Sequence, residues 1–210
     1  QCGYIRPSFP DNAFQLLYNG SIVDKCKCPD KNGIYVAVFN PTTESFWTLA
    51  AGNNNFGALN CDASGRTAYS FLFENFHSTG RQNLSNFIRN VIPNNHLVFM
   101  YTLNNGYGNN LAPELVSYLK QIGALQIDSF IQNPSMPYAL SFFKNTQHAQ
   151  LKEQIGSHQS SILKINNTFG KTWHEGSMRS PLIGPAKNWK GLEFAFDNVE
   201  GIQADSVTVQ

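Results

Sequence analysis

The 210-residue chain has little charge of either sign. Lys and Arg number 15 and Asp and Glu number 14, for a formal net charge of +1, whereas asparagine alone accounts for 24 residues. The sequence has no basic run of the kind that neutralises phosphate backbones, so no nucleic-acid partner is expected. It also has no apolar stretch near the roughly 18 residues of a spanning helix, so no membrane span is expected. Polarity that comes from amides and little from charge is typical of an exported surface.

The sequence also lacks the motifs of nucleotide cofactors and of common catalytic chemistry. No Gly-rich phosphate loop opens a helix. Cys61 and His77 are the one Cys–His pair close in sequence, but no peptidase signature surrounds them, so a disulfide cysteine and a loop histidine are the expectation. Glu193, Asp197 and Glu200 lie in a strand–turn context where solvated surface is the expectation. We therefore predict no catalytic residue, no metal site and no cofactor in this segment.

The four cysteines, Cys2, Cys26, Cys28 and Cys61, are an even number, as two disulfides in an exported protein require. Cys26 and Cys28 are too close to bond to each other without strain, so each is expected to pair with Cys2 or Cys61. Free thiols and a metal site on Cys26 and Cys28 remain the alternatives. Structural zinc sites usually place at least two residues between paired cysteines, which disfavours the metal. Disulfides predict an oxidising, extracellular compartment.

The first three-quarters of the chain alternates strand-like and helical patterns. Strands are predicted at 34–39, 46–49, 67–76, 96–103, 127–131 and 138–143. Helices are predicted around the apolar face at 84–91, with Ser78 or Thr79 as the N-terminal cap, and at 113–122, with a weaker one at 147–155. This order predicts an α/β (α+β) fold, with a mixed sheet flanked by two or three helices.

The character of the sequence changes after Ser157. Short strand-like runs at 162–165, 181–183, 191–196 and 205–210 have no helical period, a pattern typical of a β-sandwich. We predict an α/β domain over 1–157 and an incomplete β-sandwich segment over 158–210. Trp173 and Trp189 are expected in the sandwich core. The start at Gln1, without a signal sequence, is expected of a mature or excised segment.

Several stretches of 33–144 match one family in order and in kind. They are the glycine, strand and turn of 33–43, Phe76 in place of a Phe-Asp-aromatic motif, the helix at 84–92, the helix-ending Gly123 and the strand at 138–144. In this order the chain resembles the interleukin-like EMT inducer family, whose domain also occurs in the stem of an O-mannose N-acetylglucosaminyltransferase. The family's Asp is His77 here, and its Arg-Asp pair corresponds to Ser135 and Met136. The resemblance therefore implies that this chain does not use those charged groups to orient a ligand.

The tail carries a second likeness. The stretches 180–189 and 205–207 resemble β-sandwich segments of large cell-surface proteins exported by the type IX secretion pathway, among them gingipain-type and PorU-like peptidases. The two resemblances together imply an extracellular, accessory part of a larger bacterial polypeptide. Its expected partners are other domains of that polypeptide or other surface proteins.

One loop has the chemistry of a binding site. In Asn104–Asn110 the amides of Asn105 and Asn109 flank Tyr107, and glycines on either side are expected to expose the ring. Amides hydrogen-bond to vicinal hydroxyls and a ring stacks on a sugar face, so carbohydrate is a candidate ligand. The alternative is a flexible tip that binds nothing.

We therefore predict a non-catalytic extracellular recognition or spacer module that contacts protein or carbohydrate. The alternative function is an accessory domain of a type IX secretion-associated cysteine peptidase or sortase that positions its protein substrate. A freely secreted signal, like the animal inducers, is a third hypothesis, which the incomplete sandwich disfavours.

Overall fold

The structure is a computed structural model that describes residues 15–25, 31–49, 55–59, 68–145 and 151–167. The chain divides into two units, Gln1–Lys171 and Thr172–Gln210, and every described residue belongs to the first. Several predictions therefore lie outside the described residues: those for Cys2, Cys26, Cys28 and Cys61, for Trp173 and Trp189, and for every sandwich strand after 167.

The described residues form eight strands and three α-helices. The strands are β1 Gln15–Tyr18, β2 Ser21–Lys25, β3 Ile34–Asn40, β4 Ser45–Phe46, β5 Phe71–Phe73, β6 Leu97–Tyr101, β7 Tyr138–Phe143 and β8 Lys152–Ile155. The helices are α1 Ser78–Asn86, α2 Pro113–Gln121 and α3 Ile127–Gln132, and a π-helical turn, Phe87–Val91, continues α1 directly. The predicted α+β fold class is confirmed.

Six strands form one sheet, five of them in the order β4-β3-β6-β7-β8 and the sixth, β5, paired with β3. Since β6 pairs with β3 from Tyr35 to Phe39, the two remaining partners of β3 share its other edge, β5 at the start and β4 at the end. Every pairing among these six strands is antiparallel. The sheet was predicted to be mixed, and this part of the prediction is wrong. The strands β1 and β2 form a separate hairpin.

Strand β3 is buried on both faces, which explains its unbroken apolar sequence. Alternate side chains, Ile34, Val36 and Val38, join the main core. That core lies between the sheet and the helices, whose buried residues include Leu84, Phe87, Ile88, Leu115, Leu119, Ile127 and Phe130. On the other face of β3, the Tyr35 ring stacks on Tyr101 with centroids 5.4 Å apart. The Phe39 ring packs on that of Tyr18 in the hairpin, with centroids 5.1 Å apart.

A buried lysine, Lys144, caps the C-terminal end of the segment formed by α1 and its π-helical turn. Lys144 is only 3% exposed. Its Nζ donates to three carbonyl oxygens, those of Ile88 at 2.6 Å, Arg89 at 2.7 Å and Ile92 at 2.9 Å. The last carbonyls of a helix have no intrahelical donor and carry a partial negative charge. An ammonium group is therefore well matched to this position, and it attaches the end of β7 to the end of the π-helical turn.

Two short segments form secondary-structure elements other than the predicted ones. The predicted strand at 127–131 is helix α3, because Ile127 and Phe130, three residues apart, turn one buried face to the core. The predicted helix at 147–155 is wrong over Lys152–Ile155, which forms strand β8 against β7. The i, i+4 spacing of Leu151 and Ile155 imitates a helix, but pairing with the edge of β7 decides the conformation.

Residues after β8 do not form the predicted strand at 162–165. They lie against the sheet through side chains instead. The Lys164 N–H donates to Gln154 Oε1 at 3.1 Å, and Asn167 Nδ2 donates to Ser141 Oγ at 2.6 Å.

Among the described residues, no helix has both the length and the apolar character needed to cross a bilayer.

Candidate functional site

The loop at 104–110 connects β6 to α2 and is attached to the body of the fold. The Gly33 N–H donates to the Asn105 carbonyl at 2.9 Å. The side-chain Nδ2 of Asn75, which is fully buried, donates to the carbonyls of Gly106 at 2.9 Å and Tyr107 at 3.0 Å. These three bonds favour a loop held in one conformation over the alternative of a flexible tip.

The two glycines of the loop do not expose Tyr107 in the way that was predicted. Both are buried. A Cβ on Gly106 would collide with Thr102 and lie 2.8 Å from Phe130 Cζ, and one on Gly108 would lie 2.6 Å from the Phe130 carbonyl oxygen. Their absent side chains let the loop pack on Phe130, whose ring stacks on Tyr138 at 4.5 Å. The glycines therefore fix the loop to α3.

Tyr107 has a left-handed backbone, with φ 45° and ψ 51°, and a half-buried side chain. Its ring lies 5.4 Å from that of Phe76, which is 4.2 Å from the His77 ring. We call Phe76, His77 and Tyr107 the Phe76–Tyr107 surface. A left-handed residue other than glycine costs about 1–2 kcal/mol. The hydrogen bonds of the loop offset this cost.

The two predicted asparagines of the loop have different roles. The Asn105 Oδ1 accepts the Tyr107 N–H at 2.9 Å, an Asx turn that uses the amide oxygen inside the loop. Asn109 is exposed, in a short 3₁₀ turn. The structure thus keeps Tyr107 and Asn109 at the surface and makes Asn105 a support of the loop.

Asn75 is a contributor that no sequence motif indicated, whereas Phe76 was singled out by the family resemblance but not as part of this loop. Because Asn75 Nδ2 faces two carbonyl acceptors, its amide orientation is fixed, and Oδ1 must point away from them. Asn75 Oδ1 and Arg81 Nε are buried and have no hydrogen-bond partner among the residues that the structure describes. Such groups are rare in folded proteins, and these two lie just before and within α1.

The two tyrosines with the most strongly raised pKa values, Tyr101 and Tyr138, are buried in the fold. Burial raises the pKa of Tyr101 well above 10, and its hydroxyl donates to Ser70 Oγ at 2.7 Å. Burial, followed by the Glu153 carboxylate, raises the pKa of Tyr138 far above the ordinary value. Its hydroxyl donates to Glu153 Oε1 at 2.6 Å, and the other carboxylate oxygen accepts the Gln126 N–H at 2.7 Å. These geometries join elements of the fold.

His77 is exposed in the structure, while Cys61 and the carboxylates Glu193, Asp197 and Glu200 lie outside the described residues. Within the part of the chain that is described, no three His, Cys, Asp or Glu side chains are grouped closely enough to hold a metal ion. What the described residues offer at the loop is an aromatic surface with an adjacent exposed amide.

Replacing Gly106 with alanine should destabilise the loop. The new methyl group would collide with Thr102 and Phe130, and overpacking of this kind costs typically about 1–3 kcal/mol. Chemical denaturation measures the loss. Asn109→Ala, an exposed change in the same loop, is the control and should shift the free energy of unfolding by less than about 0.5 kcal/mol. Equal stability of the two variants would contradict the close packing described for Gly106.

The fold and the loop together define an α+β domain with an antiparallel sheet and a preorganised aromatic loop at the β6–α2 connection. No protein-family model matches the chain, and no curated protein is significantly similar to it.

Proposed function

We propose that this protein is a non-catalytic recognition or spacer module of a larger exported cell-surface protein. In this proposal it contacts protein or carbohydrate through the Phe76–Tyr107 surface and Asn109. The observation that carries the proposal is the half-exposed Tyr107 ring, held beside Phe76 by a loop that is hydrogen-bonded to Asn75 and Gly33.

The chemistry of the surface suits a neutral polyhydroxyl ligand or a polar protein surface. Aromatic rings stack on the apolar faces of sugars, and an exposed amide both donates to and accepts from hydroxyl groups. Because the loop is already ordered, binding would pay little conformational entropy. The near-neutral composition supports a partner recognised by hydrogen bonds and stacking more than by charge.

An extracellular location belongs to the same proposal. It is supported by the amide-rich composition, by the even number of cysteines and by the resemblance to secreted inducers and type IX-exported surface proteins. The proposed partners are other domains of the same polypeptide, other surface proteins, or cell-surface glycans.

Truncation of Tyr107 to alanine should weaken binding to a glycan identified on an array by roughly tenfold, since an aromatic stacking contact contributes on the order of 1.5 kcal/mol. Isothermal titration calorimetry measures the change. Phe56→Ala is a matched control, because Phe56 is an aromatic residue with 45% exposure that lies outside the loop. It should bind as the natural sequence does.

Two results would overturn the carbohydrate proposal. One is an array on which the intact protein binds no glycan. The other is a glycan whose affinity is the same for Tyr107→Ala and the natural sequence. Circular dichroism of both variants separates a lost contact from a lost fold.

A further inference from the structure

The chain contains three Asn-Gly pairs, Asn19-Gly20, Asn32-Gly33 and Asn105-Gly106. In such pairs the backbone nitrogen of the glycine can attack the asparagine side chain, because glycine has no Cβ to obstruct the approach. The reaction needs a glycine peptide group that is exposed and able to move. We propose that Asn19 is a deamidation site of this protein and that the fold protects Asn32 and Asn105.

Asn19 and Gly20 form the tip of the β1–β2 hairpin and are both exposed. Their φ values, 49° and 76°, are both positive, as a two-residue type I′ turn requires. Apart from its two chain neighbours, no described residue has an atom within 4 Å of the position that a Cβ on Gly20 would take. Both residues of the pair are thus open to solvent, and no described side chain packs on the glycine.

The other two glycines are both buried. The Gly33 N–H donates to the Asn105 carbonyl at 2.9 Å. A Cβ added to Gly33 would collide with the backbone of Phe73. Attack by this nitrogen would first break that hydrogen bond. Gly106 is packed between Thr102 and Phe130, and the Asn105 Oδ1 is bonded to the Tyr107 N–H. Both pairs react only after the loop has opened locally.

The proposed reaction consumes one water molecule and releases one ammonia. The Gly20 nitrogen loses its proton and forms a bond to Asn19 Cγ, the bond from Cγ to Nδ2 breaks, and ammonia leaves. Water then opens the resulting succinimide at either carbonyl, which gives aspartate or isoaspartate. No oxidant, reductant or other co-reactant takes part.

Deamidation at this position would change the hairpin. Isoaspartate adds a backbone carbon to a turn whose register, with Tyr18 opposite Ser21, leaves room for two residues. The Tyr18 ring packs on those of Phe39 and Phe46, with centroid separations of 5.1 Å and 6.4 Å. Loss of the turn geometry should therefore loosen the hairpin from the sheet that it covers.

The test is incubation of the folded full-length chain at mildly alkaline pH in ¹⁸O-labelled water, followed by peptide mapping by mass spectrometry. Asn19 should deamidate roughly tenfold faster than Asn32 or Asn105, because the protected pairs react only in rarely populated open states. In denaturant the three rates should become similar. Equal rates in the folded chain, or a faster reaction at Asn32 or Asn105, would overturn the proposal.

Asn19→Gly provides the matched variant, because glycine tolerates the positive φ of the turn and has no amide to lose. After the same incubation, limited proteolysis should cut the hairpin of the natural sequence progressively faster, while Asn19→Gly stays at its starting rate. If both chains become equally sensitive to the protease, the loosening does not come from Asn19.

Discussion

Replacement of Lys144 by methionine should lower the free energy of unfolding by about 3–5 kcal/mol, because buried acceptors left without a donor cost about 1–3 kcal/mol each before the structure relaxes. Methionine keeps an apolar stem of similar length but cannot donate to the carbonyls of Ile88, Arg89 and Ile92. Denaturant unfolding followed by circular dichroism measures the loss.

Lys120→Met is the control for this prediction. Lys120 lies 2.6 Å from the Asp128 carboxylate, but the two side chains are 47% and 57% exposed. Exposed ion pairs contribute at most about 1 kcal/mol, so the control should be nearly neutral. If Lys144→Met costs no more than Lys120→Met, the lysine is not an essential cap of the π-helical turn.

The folded chain should lose stability as the pH rises above about 10, the ordinary pKa of tyrosine. The raised pKa values of Tyr101 and Tyr138 mean that both keep their protons in the folded state while the unfolded chain releases them. Their stabilising contribution is complete below that pH. Above that pH, each of the two tyrosines lowers the free energy of unfolding by about 1.4 kcal/mol per pH unit, until the pH reaches its pKa in the folded state.

Comparison with Tyr138→Phe isolates one of the two tyrosines. Burial lowers the pKa of Lys144, which acts in the opposite direction, but this contribution cancels between the two proteins. The slope of unfolding free energy against pH above 10 should be less steep in Tyr138→Phe by about 1.4 kcal/mol per pH unit. Identical slopes would show that Tyr138 titrates alike in the folded and unfolded chains.

The long apolar patterns predicted the centre of the fold correctly. Strands β3, β6 and β7, helix α2 and the segment formed by α1 and its π-helical turn follow from runs or faces that need no knowledge of their neighbours. The first helix begins at Ser78 with His77 at the N-cap position, one residue before the earlier of the two predicted caps. Helix α3 and strand β8 have six and four residues, too few for periodicity to decide, and their partners determine their conformation. The β1–β2 hairpin was not predicted, although Asn19-Gly20 is a strong local signal for such a turn.

The candidate site was only partly predictable. Its composition singled out Tyr107 and the asparagines beside it, since turn-rich loops with an aromatic residue stand out locally. The hydrogen bonds of Asn75 join residues 31 and 32 positions apart, and no local pattern in one sequence records such a pairing. For the same reason the packing of Gly106 and Gly108 on Phe130 was misjudged as exposure.

The hydrogen bond from the Gly33 N–H to the Asn105 carbonyl also has a use in the laboratory. Gly33 is buried and directly precedes β3, while the acceptor of its amide belongs to the candidate loop. A ligand that shifts the loop would change the length of this bond, and amide chemical shifts respond to that length. In a ¹⁵N-labelled sample, the Gly33 resonance is therefore an internal reporter of events at Tyr107, readable without a label attached to the surface itself.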